Sequence, residues 1–104
     1  MPAQITRAEA AGHDEAAVLD RIREMGLSPQ AWRNGPGEAY GWHEHRHRKI
    51  LYCVTGSIVF HTPDGDLPLS AGDRLDLPAH TQHAATVGPL GCRCVEAAAN
   101  AERG

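Results

Sequence analysis

Trp42-His43-Glu44-His45-Arg46-His47-Arg48-Lys49 runs without a break into Ile50-Leu51-Tyr52-Cys53-Val54-Thr55-Gly56. The second half is rich in β-branched and aromatic residues and ends on glycine, the composition of a β-strand. Side chains alternate along a strand, so residues 43, 45, 47, 49, 51 and 53 share one face. That face carries three of the chain's seven histidines, followed by Lys49, Leu51 and Cys53. Residues two apart on a strand stand about 6.6 Å from each other. His43 and His45 therefore lie close enough to lean onto one ion. A solvated basic strand face accounts for the same residues, and the pair alone does not decide between the two.

A second stretch adds to the first. Gly72-Asp73-Arg74-Leu75-Asp76-Leu77-Pro78-Ala79-His80-Thr81-Gln82-His83 lies downstream. Together the two resemble the paired motifs of the cupin superfamily. The first of those motifs sets a glycine before a His-x-His pair, then a glutamate and a second glycine. The second orders Gly, Pro, Gly, His and Asn. His43, His45 and Gly56 match the first, and Gly72, Pro78 and His83 match the second. Gly37 sits six residues before His43, whereas Gly41 sits only two before it. Lys49 stands in the glutamate position, four residues past His45 and seven before Gly56. His80 replaces the second motif's inner glycine and Thr86 its final asparagine.

The resemblance implies an all-β protein: a cupin jelly-roll barrel (a double-stranded β-helix, RmlC-like) preceded by one short N-terminal helix. It divides the chain into an N-terminal tail and helix (1–27), one β-barrel domain (28–97) and a C-terminal tail (98–104). It also implies that His43, His45 and His83 hold a divalent transition metal: Zn, Fe, Ni, Mn or Cu. Imidazole donors alone do not choose among such ions. Three protein ligands leave positions open for water or substrate. They also leave the ion's 2+ charge uncompensated, which favours hydroxide or an anionic ligand.

Lys49 is the departure from the family pattern. A glutamate there would ligate the ion or sit against it, but an ammonium has no lone pair and repels a cation. Three consequences stand open. The side chain turns away to bind an anionic substrate, or it loses its proton, or the histidines line a metal-free pocket. The implied function is accordingly a metal-dependent enzyme (a dioxygenase, an isomerase or a Lewis-acid catalyst) acting on a small anionic molecule, with Lys49 and His47 contacting that ligand. The alternative is a non-catalytic binding or sensing module without metal.

Composition bounds these readings. A chain of 104 residues makes one domain. A net charge of −3 argues against nucleic acid as a partner, despite the Arg46-Arg48-Lys49 cluster. There is no apolar run of membrane-spanning length and no signal-peptide core, and the three cysteines lack a framework spacing. These features point to the cytoplasm. Exposed sheet edges and apolar outer faces call for a partner surface, so a homodimer is expected.

In chain order, Thr6 to Glu9 fits a capping box, with residues 1–8 otherwise loose. Val18, Leu19, Ile22 and Met25 recur at helical spacing between Asp14 and the stop signal Gly26-Leu27-Ser28-Pro29. This amphipathic helix is expected to pack on the outside of the strands. Strands are expected at 28–34, from Glu38 onward, at 58–61, at 67–69 with Pro68 on an edge, at 74–77, and on both sides of a turn at Gly88-Pro89-Leu90-Gly91. Gly56-Ser57 and Pro63-Asp64-Gly65 read as further turns. His47 reads as a pocket-rim residue. His80, His61 and His13 read as surface groups, and Trp42 points away from the histidines. Cys53, Cys92 and Cys94 read as reduced, buried thiols.

Overall fold

A computed structural model describes residues 3–99. The elements in chain order are β1 (Gln4–Thr6), α1 (Glu15–Glu24), β2 (Gln30–Asn34), β3 (Ala39–His43), β4 (Arg48–Thr62), β5 (Gly65–Ser70), β6 (Arg74–Leu77) and β7 (His83–Ala99). Two long strands carry the rest. β4 and β7 pair antiparallel from Arg48↔Ala99 to His61↔Ala84, with register shifts between Cys53 and Thr55 and between Gly56 and Ile58. These shifts mark bulges, which bend a ribbon and increase its twist.

The bend needs glycine on both strands. Gly56 has φ +75°, and a Cβ there would stand 2.0 Å from the Gly91 carbonyl oxygen. Gly91 has φ +77°, and its Cβ would meet the Asn34 carbonyl oxygen at 2.8 Å. Both were expected to be chain reversals. Both instead lie inside continuous strands, because a glycine-rich run marks a bulge as readily as a turn. The Pro63-Asp64 turn does reverse the chain, and Thr62 pairs with Gly65 across it.

Each half of the bent ribbon recruits its own flanking strands. The first half of β4 pairs with β6 and the second half with β5. The first half of β7 pairs with β3 and the second half with β2. The two halves share one apolar interior, in which Leu51, Cys53, Leu75 and Cys94 meet Ile58, Phe60, Leu69, Ala85 and Val87. The alternate residues Ile50, Tyr52, Val95 and Ala97 face outward, where α1 covers them with Val18 and Ile22. Burying each of those two side chains contributes about 1.5–3 kcal/mol. The helix forms where its spacing placed it. Asp14 caps it by accepting from the Ala17 N–H at 2.9 Å, and Gly26 follows its end at φ +82°.

The expected closed barrel does not form. The sheet is open, in the order β1-β6-β4-β7-β2, with β3 added to β7 and β5 to β4. Among the described residues no ladder joins β1 to β2 or β3 to β5. The edge strands are short, and Pro68 on β5 has no N–H with which to extend a ladder. A second correction concerns the histidine run. β3 ends at His43 and β4 begins at Arg48, so residues 44–47 form a loop rather than one continuous strand.

The chain's start is also more ordered than expected. Gln4–Thr6 pairs with β6, and Thr6-Arg7-Ala8-Glu9 caps no helix. Instead the Glu9 carboxylate accepts from the Tyr52 hydroxyl at 2.6 Å, with Arg74 at 3.3 Å. Asp73 is 5% exposed and accepts from Arg7 Nη1 at 2.8 Å and from the Ala8 and Ser70 N–H groups at 2.9 Å. At the other end, Ala98 and Ala99, assigned to a tail, pair with Lys49 and Arg48. The rest of that tail, 100–104, lies outside the described residues, as do Met1 and Pro2. No described helix is long and apolar enough to cross a membrane.

Two stability predictions follow from these contacts. Gly56→Ala combines a left-handed backbone with a clash against β7, and is expected to cost about 3 kcal/mol in a urea titration. An unchanged midpoint would remove the corner from this account. Asp73→Ala strands two backbone donors and an arginine, at a cost of about 2–3 kcal/mol. Burial alone would raise the Asp73 carboxyl, but the Ser70 and Ala8 N–H groups and Arg7 outweigh it and hold the group below the ordinary carboxylate range. Its folded value lies below its unfolded value. The ion therefore stabilises the fold above about pH 4, and that stability is lost as the pH falls through the folded value. Asp73→Asn should flatten the acid limb of the stability profile.

Candidate metal centre and pocket

His43 and His83 face each other across the β3–β7 ladder, brought into register by the shift between Tyr40 and His43. Their ring centroids lie 4.2 Å apart. His45 reaches the same place from the 44–47 loop, with its ring 4.9 Å from His43 and 5.2 Å from His83. That loop is held by its carbonyl, since His45 O accepts from the His80 N–H at 2.7 Å. His80 adopts φ +62°, the left-handed conformation that glycine takes most easily.

One nitrogen from each of His43, His45 and His83 lies within 4.8 Å of the others. Ligands at about 2.1 Å from a tetrahedral ion are about 3.4 Å apart, so modest side-chain rotation closes the set. The hydrogen bonds favour it. His43 Nδ1–H donates to the Gly41 carbonyl at 2.7 Å, and His83 Nδ1–H donates to the Thr81 carbonyl at 2.8 Å. Both rings therefore keep a bare Nε2 lone pair, with the backbone fixing tautomer and orientation. Burial, then Lys49 and the neighbouring imidazoles, lower the His45 pKa to about 4. Burial also lowers His83, against the pull of the Thr81 carbonyl. These two rings are thus neutral at pH 7. The donor set fits a divalent transition metal.

Lys49 does not turn away from the histidines. Its ammonium donates to His45 Nε2 at 3.3 Å and to Glu96 Oε2 at 3.1 Å. Glu96 is the residue the sequence reading missed. It follows Cys92 and Cys94 at alternate positions on β7, and that alternation is the only signal that could have pointed it inward. Its carboxylate sits beside the cluster, so the acid missing from β4 has a counterpart on β7, now paired with a cation.

These groups form one wall of a cavity of about 240 Å³. Exposed Tyr40 and His43 and half-buried Trp32 mark its mouth, and buried Leu51, Ile58, Phe60, Leu75 and Leu77 form its floor. Other expectations fall outside it. His47 stacks on His45 at 5.8 Å but lines an adjoining groove with Gln30 and Ala97, which shares Lys49 and Glu96 with the cavity. His80 is exposed against Glu44. His61 lies on the outer surface between Asp66 and Thr86, and His13 is exposed. Trp42 is 60% exposed. The three cysteines are buried and free.

An open bent sheet with three histidines converging beside an apolar cavity defines a β-protein with a candidate metal centre. No family model and no curated protein matches the sequence, but solved structures do. A cupin superfamily protein of Desulfitobacterium hafniense aligns over 71% of this chain and 67% of its own, at 20% identity and TM-score 0.64. An RmlC-like cupin of Shewanella frigidimarina aligns over 75% and 71%, at 25% identity and TM-score 0.61. A structure described as that of DMSP lyases aligns over 70% of this chain, at 32% identity and TM-score 0.63, but this chain spans 38% of it. The chain has the fold of these cupin superfamily proteins.

Proposed function

We propose that this is a small metal-dependent cupin in which His43, His45 and His83 hold a divalent transition metal and the cavity beside them takes a small anionic molecule. One observation carries the reading: three imidazole nitrogens converge within 4.8 Å, and two of the rings are fixed by backbone carbonyls with a lone pair free. A bound ion would supply Lewis acidity or an oxygen-binding position at its open sites. Lys49 orients the anion, and Glu96 holds Lys49 in place. The DMSP lyases among the similar structures make lyase activity one reaction class to assay, beside oxygenase and isomerase activity.

Metal analysis of protein purified without chelator should find about one equivalent of transition metal, and a His43→Ala/His83→Ala variant should hold close to none. Metal in hundredfold excess over its dissociation constant should stabilise the wild type by about 2.7 kcal/mol, read as a rise in Tm absent from the variant. Equal, near-zero metal in both proteins would end the metal reading.

The second reading is a binding or sensing module without metal. It is favoured by the Lys49 ammonium, which stands 3.3 Å from a candidate ligand atom. Lys49→Glu separates the two. A steep gain of metal affinity from nothing supports the metal-free module, whereas metal binding already present in the wild type supports the first reading.

The assembly is proposed to be a homodimer. β3 is exposed along its whole length, has β7 as its ladder partner, and presents Tyr40 at 41% and Trp42 at 60% exposure. Light scattering should give about twice the chain mass of 11.2 kDa, and a monomeric mass would overturn this.

A further inference from the structure

We propose that the ligand is a compact monocarboxylic acid with an apolar tail, about the size of hexanoate or benzoate, its carboxylate at the histidine–lysine wall and its tail on the cavity floor. This deepens the metal-site reading above and rests on it for one of its arguments.

The cavity's lining is of two kinds. The floor residues Leu51, Ile58, Phe60, Leu75 and Leu77 have no hydrogen-bonding side-chain atoms. A polar or charged group placed there would lose its water with nothing in exchange, a cost that excludes it. An apolar tail gains by the same burial. The polar groups of the lining are gathered beside the floor residues at His45, His83, Lys49 and Glu96, with Lys49 paired to Leu77 and Glu96 to Leu51 across the ladders, so a charged head belongs there.

Charge counting selects the head. Lys49 and Glu96 cancel as a pair at 3.1 Å. Imidazoles that ligate a metal do so as neutral rings. The ion's 2+ charge is then the uncompensated charge of the wall, and it attracts an anion and repels an amine. An ammonium has three N–H donors. With the single His45 lone pair given to the ion, Lys49 keeps Glu96 as its acceptor, which leaves two donors for ligand oxygens. A second negative charge on the ligand would meet either the Glu96 carboxylate or the bare floor. Dicarboxylates are disfavoured on both counts.

Size sets the upper limit. A dry cavity of about 150 Å³ accepts benzene, and this one holds about 240 Å³. That is room inside the cavity for one ring or about five to six carbons beyond the head.

The test is calorimetric titration of the full chain, both metal-loaded and metal-free, with hexanoate, benzoate, acetate, succinate and hexylamine. Hexanoate and benzoate should bind at least tenfold tighter than acetate or succinate, and hexylamine should not bind. Lys49→Met should weaken hexanoate at least tenfold without reducing bound metal. Ala85→Leu, which fills the floor from β7, should abolish the preference for hexanoate over acetate. If it misfolds, the wild-type ranking still decides. Protein that binds metal but shows no preference for a tail overturns this inference and leaves the metal site standing. Protein that binds no metal yet ranks the acids by tail retains this inference and sinks the metal reading. Neither property would sink both.

Discussion

The close approach of Gly56 to Gly91 determines where everything else lies. A ribbon of two long antiparallel strands has its ends far apart, and a bend at its middle brings them together. Lys49 lies seven residues before Gly56, Glu96 five after Gly91 and His83 eight before Gly91. Folding the β4–β7 ribbon at that corner therefore carries Lys49 and Glu96, from one end, to His83, from the other. The contact is possible because neither strand has a Cβ at the crossing. Cavity and histidine cluster are both consequences of that missing pair of side chains, since the same bend lays the two apolar half-faces against each other.

Much of this was legible in the sequence, for identifiable reasons. The alternation of Leu75 and Leu77 with Arg74 and Asp76 survives as β6, buried and half-buried in turn. The apolar spacing from Val18 to Met25 survives as α1, because amphipathic period and capping residues agree there. The three clustered histidines were found through motif spacing. The geometry first assigned to them was not the one that forms. His43 and His45 do not share a strand face. They converge because β3 ends and a loop turns His45 back, a loop tied through His80 to the segment that delivers His83. Strand periodicity cannot report a strand break that leaves both residues pointing at the same place.

The features that stayed hidden depend on partners distant in sequence. A glycine in a polar run reads the same whether the chain reverses or bends, and the difference is decided by what crosses it. Closure of the sheet was inferred from the family, but it requires edges able to pair. β1 has three residues and β5 contains Pro68, so these edges stay open. Glu96 has no motif around it. It becomes visible through the register that sets it opposite Leu51, next to Lys49.

The pairing of Lys49 with Glu96 changes how the missing glutamate should be understood. Removing a carboxylate from a metal site and installing an ammonium would leave a desolvated positive charge beside three imidazoles, a costly arrangement if nothing answers it. Glu96 answers it from the facing strand, and both side chains remain mostly shielded, at 17% and 20% exposure. The two charges therefore cancel as a pair. The histidines complete the arrangement through their graded burial. His83 is held at 3% exposure, His45 is half-buried and His43 is exposed. His83 and His43 are both held by backbone carbonyls, so any adjustment of a cluster whose nitrogens lie within 4.8 Å of one another falls first to His45, on its loop.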